Sequence, residues 1–309
     1  MLWKSQSGIF WRWKALSVSD RAMSARLSAY LTLIRPPNTI MIGLAVIIGE
    51  AIAIAPKLPG IQAAVFGFLT ASLMMAGTMV ANDVYDVEID KVNSPQRPLP
   101  SGIVKSREAV TLAVVLSAAA IGFSALLGPW TFLTALLALA LMVYYNTRGK
   151  KTGLIGNAVV SFNVALPFFF GGLAISPINS IRPLLFIFSV VAFLANFGRE
   201  VAKGIADVEG DSLRQVRTLA VVRGTRAAAL VSGGLFVTAV LLSFLPPFLE
   251  SISWLYFPPV IAADIGFLYS AYRLVGNQTS ENVRAVKGHV LVWMLLGLVG
   301  FLLGGAALL

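Results

Sequence analysis

Long apolar stretches, separated by short polar connections, recur along nearly the whole chain. Each stretch is close to the roughly 20 residues that a helix needs to cross a bilayer, and no alternating pattern typical of strands competes with it. Helices also satisfy their own backbone polar groups inside lipid. The pattern therefore predicts an all-α, polytopic membrane protein with nine transmembrane helices, at residues 38–55, 59–81, 108–128, 130–145, 154–174, 181–198, 226–248, 253–273 and 288–309.

Composition supports a membrane location and divides the chain into two parts. Only 12% of the residues are charged, whereas soluble domains carry about 25% charged residues. Residues 1–27 differ from the rest because they combine five basic side chains with Trp and Phe and have no continuous apolar core. They are typical of a helix on the membrane surface and not of a signal peptide. Residues 28–309 form the predicted transmembrane domain.

Positive charge is distributed unevenly between the connections. All but two of the 24 Lys and Arg residues fall in the N-terminal segment and after the second, fourth, sixth and eighth predicted helices; the exceptions are Lys57 and Arg182. The positive-inside rule places that basic side in the cytoplasm. We therefore expect a cell-membrane protein with a cytoplasmic N-terminus and an external C-terminus. The net charge of +10 follows from this topology, so a nucleic-acid partner is not expected.

Acidic residues are concentrated in two short segments. Eight of the 14 lie in NDVYDVEID (residues 82–90) and REVAKGIADVEGD (residues 199–211), and each segment follows the basic-side end of an apolar stretch. The similar spacing indicates two related halves of the chain that face each other. In both segments polar side chains recur every four residues, which places them on one helix face: Asn82, Asp86 and Asp90 in the first, and Lys203, Asp207 and Asp211 in the second.

Two alternatives explain this pair of segments. Solvated helix ends commonly carry charge, but like charges four residues apart repel each other and oppose helix formation, and here the arrangement occurs twice. A divalent cation removes the repulsion. With no cysteine and a single histidine, His289, in the chain, oxygen ligands remain, and these favour Mg²⁺ bound through carboxylates and substrate phosphates. We therefore predict a site in which two Mg²⁺ ions hold a diphosphate between the segments.

Basic residues on the same side of the membrane are candidate ligands for phosphate. Arg grips phosphate oxygens with two donors, and Lys binds them as a point charge. The alternative is that these residues only mark the cytoplasmic side. The candidates are Arg35, Arg97, Arg148, Lys150, Lys151, Lys203, Arg214 and Arg217.

NDVYDVEID is similar to the first motif, N-D-x-x-D-x-x-x-D, of the UbiA superfamily of intramembrane prenyltransferases, and DVEGD resembles the second, D-x-x-x-D. QRPLPSG, the early RPPN and the run YNTRGKKTGLIGN match as well, so the resemblance covers about residues 28–309. It implies a bundle of helices around a central cavity with a cytoplasmic cap. It also implies Mg²⁺-dependent transfer of a polyprenyl group from its diphosphate, and it supports Arg35, Arg97 and Lys150 as phosphate ligands.

The second segment distinguishes groups within the family. Members that prenylate 4-hydroxybenzoate usually carry a longer second motif, whereas REVAKGIADVEGD resembles the archaeal digeranylgeranylglyceryl phosphate synthases, except that Gly204 replaces an acid. Homogentisate prenyltransferases share the ending DVEGD. We expect geranylgeranyl transfer to geranylgeranylglyceryl phosphate, a lipid-phosphate acceptor of archaeal ether-lipid synthesis. An aromatic acceptor, either 4-hydroxybenzoate or homogentisate, is the alternative.

The resemblance also implies roles for particular residues. The aspartates of the metal site count as catalytic, because the metal neutralises the departing diphosphate. Tyr145 or its neighbour Tyr144 would face the allylic cation, unless the pair belongs to an interfacial aromatic belt. Lys151, Lys203 and Asn157 complete the expected substrate-binding set. The expected metal ligands are Asn82, Asp86, Asp90, Asp207 and Asp211, with Asp83 as a further ligand or neighbour.

Two other functions fit the pattern less well. A cation-coupled transporter places its acids near the bilayer midplane on broken helices, whereas these acids lie at one membrane face. A lipid-phosphate alcohol transferase carries one aspartate cluster, whereas this chain has two. Glu50, Asp264 and Asn163 lie within predicted helices. We expect them to form hydrogen bonds between helices, with substrate contact as the alternative.

Overall fold

The computed structural model describes residues 18–213 and 216–305, and every element in these ranges is helical. The α-helices are α1 (Val18–Ile34), α2 (Pro36–Ile54), α3 (Ile61–Tyr85), α4 (Val87–Asn93), α5 (Ser106–Leu127), α6 (Pro129–Thr147), α7 (Leu154–Ile175), α8 (Pro183–Ala206), α9 (Val208–Leu213), α10 (Leu219–Arg223), α11 (Thr225–Ser243), α12 (Pro246–Leu249), α13 (Phe257–Gly276) and α14 (Ser280–Gly305). Short 3₁₀ turns lie at Gly149–Lys151, Ile178–Ser180 and Trp254–Tyr256. The predicted surface segment, residues 1–27, lies largely outside the described residues, and α1 crosses its boundary with the transmembrane domain.

A helix occupies each of the nine predicted apolar stretches. Proline lies in the first turn of α2, α6, α8 and α13, where the N–H that proline lacks would have no partner within the helix. The all-α, multi-pass membrane architecture is therefore confirmed. By length and composition, eight helices of the described chain are able to cross a membrane: α2, α3, α5, α6, α7, α8, α11 and α14.

The eighth predicted stretch, residues 253–273, corresponds to α13, which is less apolar because it contains Asp264 and Arg273. Just before its first turn, the Tyr256 hydroxyl donates to the carbonyl of Ser243, the last residue of α11, at 2.6 Å. In its last turn, Arg273 bonds the side chain of Asn282 near the start of α14. α13 therefore runs antiparallel to both neighbours along the bundle. Its role as a ninth membrane crossing stays a prediction.

Helices α2, α7, α8, α13 and α14 line an apolar cavity of about 70 Å³. At one end the cavity is closed by aromatic rings, among which Phe188 and Phe301 stack with centroids 3.8 Å apart and Phe168 meets Phe301 edge-on. The helices that form the wall pack closely, because a Cβ on Gly49 of α2 would collide with the Phe168 carbonyl of α7. The central cavity implied by the family resemblance is thus present.

At the other end of the bundle, short elements cover the ends of the long helices. α4 follows α3, α9 and α10 follow α8, and the Gly149–Lys151 turn follows α6. Connections from both halves of the chain touch, because the Arg217 N–H donates to the Lys151 carbonyl at 3.4 Å. Gly153, with φ of 63°, is required here, since a side chain at that position would collide with the Arg217 carbonyl. These elements form the predicted cap.

Candidate active site

The first acidic segment lies where α3 ends and α4 begins. Asp86 is the single residue between the two helices, with φ −93° and ψ 0°, so the continuous helix expected for this segment is interrupted. Hydrogen bonding continues across the break: the Asp86 N–H donates to the Asn82 carbonyl at 3.1 Å, and the Asp90 N–H donates to the Asp86 carbonyl at 2.8 Å. The Asn82 amide also donates to the Asp86 carboxylate at 3.3 Å. The predicted helical spacing of these three residues therefore persists through a bend.

The second acidic segment has the same main-chain arrangement. Asp207 is the single residue between α8 and α9, with φ −105° and ψ 10°. Its N–H donates to the Lys203 carbonyl at 3.2 Å, and its carbonyl accepts from the Asp211 N–H at 2.9 Å. Both breaks lie in the sparsely populated region near φ −90° and ψ 0°, where active-site residues are often found. The repeat predicted from residue spacing therefore extends to the backbone.

Three cations pair with the acids of the first segment, and two of them, Arg35 and Lys150, come from distant parts of the chain. Two of these acids, Asp83 and Asp90, are only 5% and 7% exposed, and a buried carboxylate needs a charged partner to remain ionised at low cost. The predicted phosphate ligands thus lie directly at the acids. The pairs are Arg35 with Asp83 at 2.6 Å, Arg97 with Asp90 at 2.6 Å, and Lys150 with Asp86 at 2.8 Å.

Arg35 reaches the site from an unusual backbone position. It joins α1 to α2 with φ of 51°, a left-handed conformation that costs a non-glycine residue about 1–2 kcal/mol. Two prolines follow it in the first turn of α2, and a residue before proline is disfavoured in the ordinary helical region. The guanidinium also contacts the Met79 sulfur at 3.3 Å. Backbone strain of this kind is often retained at functional sites.

The charge balance around the second segment is different. Glu200, which is 8% exposed, is shared by two cations: Arg199 Nη1 lies 3.3 Å from one oxygen and Lys203 Nζ lies 3.6 Å from the other. From α14, the Lys287 ammonium interacts electrostatically with Asp207 and Glu200. The Lys287 carbonyl accepts a hydrogen bond from Arg199 Nε at 3.4 Å. Sequence spacing gives no signal for Lys287, because it lies on a helix remote in the chain from either segment.

Tyr145 lies between the two segments. Its hydroxyl interacts electrostatically with Asp86 of the first and Asp211 of the second. Lys150 Nζ lies 5.8 Å from the centroid of its ring, within the range of a cation–π contact. Tyr145 is partly buried, whereas Tyr144 is exposed. Of the two candidate tyrosines, Tyr145 is therefore the partly buried one that interacts electrostatically with acids of both segments.

Lys150 also shows that the two segments share one site. It belongs to the Gly149–Lys151 turn, outside the long helices. Burial lowers the pKa of the Lys150 ammonium below its usual value, whereas the hydrogen bond to Asp86 raises it, and Lys203 of the second segment lowers it further. Lys150 and Lys203, one cation from each half of the chain, thus lie within electrostatic reach of each other. Two cations in this arrangement favour binding of an anion between them.

The donor atoms of the two segments fit a divalent metal by their chemistry. Carboxylate and amide oxygens are the ligands that Mg²⁺ prefers, and the first segment already stabilises three positive side chains at its acids. Within the described ranges, no three His, Cys, Asp or Glu side chains are close enough to form a metal site on their own. The ligand set therefore stays a prediction: Asn82, Asp83, Asp86, Asp90, Asp207 and Asp211.

Other predicted ligands lie farther from the acids. Lys151 is exposed, and its carbonyl accepts the bond from Arg217. Asn157 is in the first turn of α7, where its carbonyl accepts from the Ser161 hydroxyl at 2.7 Å. Among the described residues, neither side chain makes a hydrogen bond or ion pair with the acidic segments. Arg214 lies outside the described residues.

Gly204, which replaces the usual acid of the archaeal pattern, is buried in α8. A Cβ at this position would lie 3.3 Å from Thr218 Cβ, closer than an ordinary van der Waals contact. Thr218 caps the start of α10 through a hydrogen bond from the Val221 N–H at 3.4 Å. An acid at position 204 would therefore require the cap to shift, which gives this departure a structural reason.

The acids within the long helices have different environments. Asp264 accepts a hydrogen bond from the Ser243 hydroxyl at 2.8 Å, which joins α13 to α11 as expected. Glu50 is fully buried, and neither of its oxygens has a partner in the part of the chain that the structure describes. Both side-chain polar atoms of Asn146, next to Tyr145, are likewise buried without a partner among the described residues.

Comparison with known proteins identifies relatives along most of the chain. A digeranylgeranylglyceryl phosphate synthase of Archaeoglobus fulgidus is 36% identical over 293 residues, which cover 93% of this chain and 98% of the relative. The enzyme of the same name from Saccharolobus solfataricus is 34% identical over 278 residues, which cover 90% of this chain and 97% of the relative.

Solved structures share the helical architecture. The structure of a digeranylgeranylglyceryl phosphate synthase has a TM-score of 0.74 at 29% identity and covers 92% of this chain and 100% of its own. A UbiA homolog from Aeropyrum pernix K1, in its apo form, has a TM-score of 0.71 at 18% identity and covers 84% and 97%. A UbiA homolog from Archaeoglobus fulgidus bound to GPP and Mg²⁺ has a TM-score of 0.61 at 20% identity and covers 88% and 99%. The likeness to these last two concerns the fold alone.

The profile of the UbiA prenyltransferase family matches residues 42–299. That range includes both acidic segments, Tyr145, Lys150 and Lys287. The resemblance found in the motifs is therefore confirmed. The chain belongs to the UbiA prenyltransferase family, and it is a multi-pass membrane enzyme that transfers prenyl groups.

Proposed function

We propose that this enzyme transfers a geranylgeranyl group from its diphosphate to geranylgeranylglyceryl phosphate, a step of archaeal ether-lipid synthesis. One observation carries the proposal: two acidic segments with the same broken-helix backbone lie within electrostatic reach of Tyr145, in a helical bundle that contains an apolar cavity. This combination suits a substrate with a highly charged head and a long apolar tail. The names of relatives that are 31–38% identical support the choice of acceptor.

The charged head of the donor would bind between the segments. Two Mg²⁺ ions held by the six predicted ligands would neutralise the diphosphate as it leaves. On the first segment, Lys150 and Arg97 are placed to bind phosphate oxygens as well, because each lies within 2.6–2.8 Å of a motif carboxylate. Arg35 holds Asp83 at 2.6 Å and so orients this side of the site.

In the reaction itself, the bond between C1 of the prenyl group and the diphosphate oxygen breaks, and its electron pair leaves with the diphosphate. The face of the Tyr145 ring stabilises the allylic cation at C1, and the apolar cavity wall keeps water away from it. The acceptor hydroxyl then bonds to C1. The hydroxyl loses its proton to a nearby carboxylate or phosphate oxygen.

The topology follows from the charge distribution. We propose that the N-terminus, the cap and both acidic segments face the cytoplasm of the cell and that the C-terminus faces outside, with α13 as a ninth crossing. Residues 1–27 would lie on the cytoplasmic membrane surface, where their basic and aromatic side chains suit anionic lipid. The donor and acceptor are themselves lipids and enter from the membrane.

A direct assay tests the proposal. Purified protein with Mg²⁺ and geranylgeranyl diphosphate is incubated with geranylgeranylglyceryl phosphate, 4-hydroxybenzoate or homogentisate, and products are identified by mass spectrometry. We expect digeranylgeranylglyceryl phosphate as the main product. Preferential prenylation of an aromatic acceptor would overturn the choice of acceptor and leave the prenyltransferase assignment standing. The absence of any prenylated product with all three acceptors would contradict the proposed substrates.

A further inference from the structure

Two cations lie next to the apolar cavity: Arg199, the first residue of the second acidic segment, and Lys287, which belongs to neither segment. Arg199 is on α8, on the same helical face as Ala195 and Ala192, four and seven residues earlier. Lys287 is on α14, on the same face as Met294, seven residues later. Ala192, Ala195 and Met294 all line the cavity. Arg199 and Lys287, which we call the upper cation pair, therefore lie between the cavity and Asp207.

The two helices hold the upper cation pair together. The Arg199 Nε donates to the Lys287 carbonyl at 3.4 Å. The Ser280 hydroxyl, at the start of α14, donates to the Ala206 carbonyl at the end of α8, at 3.3 Å. The start of α14 thus lies beside the end of α8, and Lys287 lies about two helical turns from Ser280. Both cations are partly buried, so they face the interior of the bundle and not open solvent.

Charge is unbalanced at this position. In the first segment each acid has its own cation. Around the second, Arg199 and Lys203 both pair with the carboxylate of Glu200. Lys287 adds a third positive charge, which is attracted by Asp207 and Glu200 and repelled by Arg199 and Lys203. Like charges in a partly buried site repel each other unless an anion lies among them. The arrangement favours a second anion, in addition to the one at the first segment.

We propose that Arg199 and Lys287 bind the phosphate of the lipid acceptor while its apolar chain extends along the apolar wall that lines the cavity. The chemistry matches a phosphate monoester: the guanidinium offers paired donors for two phosphate oxygens, and the ammonium adds a compact charge. The donor diphosphate would then lie between the two segments, and the acceptor phosphate beside it at the upper cation pair. This inference rests on the proposed function and deepens it, because it assigns a place to the acceptor head group.

Binding without turnover is the first test. The full-length protein in EDTA, without prenyl donor, is titrated calorimetrically with geranylgeranylglyceryl phosphate. We expect Lys287→Gln to weaken binding by about tenfold or more, because a charge-assisted hydrogen bond is lost. Arg284→Gln is the matched control, since this exposed residue lies one turn earlier on the same helix and carries the same charge. The dephosphorylated lipid should bind the wild type and both variants equally.

Kinetics then separate acceptor from donor. Lys287→Gln should raise the KM for the acceptor by about tenfold and leave the KM for geranylgeranyl diphosphate within about twofold of wild type. Arg199→Gln should act in the same direction. Because Arg199 also donates a hydrogen bond to the main chain of α14, the fold of the Arg199→Gln variant is checked by gel filtration. If that variant misfolds, the Lys287→Gln variant alone decides the test.

The outcomes distinguish this inference from the proposed function. If Lys287→Gln binds the lipid phosphate as tightly as wild type, or raises only the KM of the donor, the acceptor does not bind at the upper cation pair and the inference is wrong. If wild type binds the lipid phosphate in EDTA and Lys287→Gln does not, but no product forms with the donor, the inference stands and the proposed reaction fails.

Discussion

The two acidic segments have the same backbone and unlike surroundings. In each, one aspartate, Asp86 or Asp207, interrupts a helix at similar main-chain angles. At the first segment three acids each have a cation of their own, 2.6–2.8 Å away. At the second, Arg199 and Lys203 share Glu200 at the longer distances of 3.3 and 3.6 Å.

This difference fits the division of roles between the halves of the protein that we propose. The backbone of the motif sets the spacing of the oxygen ligands, so it is retained in both halves. Side chains from other helices decide which anion binds nearby, so these have diverged. In our proposals both segments hold the metal ions and the donor diphosphate between them, the cations of the first segment bind the diphosphate, and those beside the second bind the acceptor phosphate. Variants that affect one segment but not the other can break or sharpen this comparison.

The largest expected effect is that of metal removal, which should inactivate both segments at once. Without a divalent cation, carboxylates and diphosphate repel each other, so EDTA should abolish product formation, and added Mg²⁺ or Mn²⁺ should restore it. Radiolabelled geranylgeranyl diphosphate provides the readout. Full turnover in the presence of chelator would rule out a metal role for either segment.

Replacing the aspartate at either helix break should lower activity nearly as much as removing the metal. Asp86→Ala and Asp207→Ala should each lower kcat by about 10³-fold, and the double variant should be no worse, because residues that act as a unit are not additive. Glu88→Ala and Glu209→Ala are matched controls, since these acids lie in the same segments but are exposed. Near-normal activity of Asp207→Ala would reduce the second segment to an ordinary charged helix end.

Replacing a cation at the first segment should lower activity less than replacing one of the segment's aspartates. Lys150→Met should lower kcat/KM by about tenfold to a hundredfold through loss of a charge-assisted contact with diphosphate. The control is Lys91→Met, because Lys91 pairs with exposed Glu88 at 2.7 Å. Steady-state kinetics should show a rise in the KM of the donor and not of the acceptor. An effect on the acceptor alone would reverse the roles assigned to the two segments.

The smallest expected effect is at the tyrosine between the segments. If the ring face stabilises the allylic cation, Tyr145→Phe should stay within about threefold of wild type, and Tyr145→Leu should lose about tenfold in kcat. Tyr144→Leu provides the control on the exposed neighbour. Equal losses for Tyr145→Phe and Tyr145→Leu would assign the role to the hydroxyl instead of the ring.

Local features of this protein could be predicted from its sequence. Apolar length predicts the helices, because a helix in lipid must be apolar and long enough to cross it. The spacing of Asn82, Asp86 and Asp90 identifies the first acidic segment, and its counterpart ending in Asp211 identifies the second. The helix breaks at Asp86 and Asp207 were not predicted, since the spacing of four residues is the same in a straight helix and in a bent one.

The tertiary structure alone decided which charges meet. Arg35 and Asp83 are 48 residues apart in sequence, and Lys150 and Asp86 are 64 apart, yet each pair forms a contact. Lys287 approaches the second segment from the last helix, which no motif indicates. Periodicity and spacing report on neighbours within one helix, because their physical basis is the helical repeat. Contacts between helices depend on how the whole bundle packs, and only the folded chain contains that information.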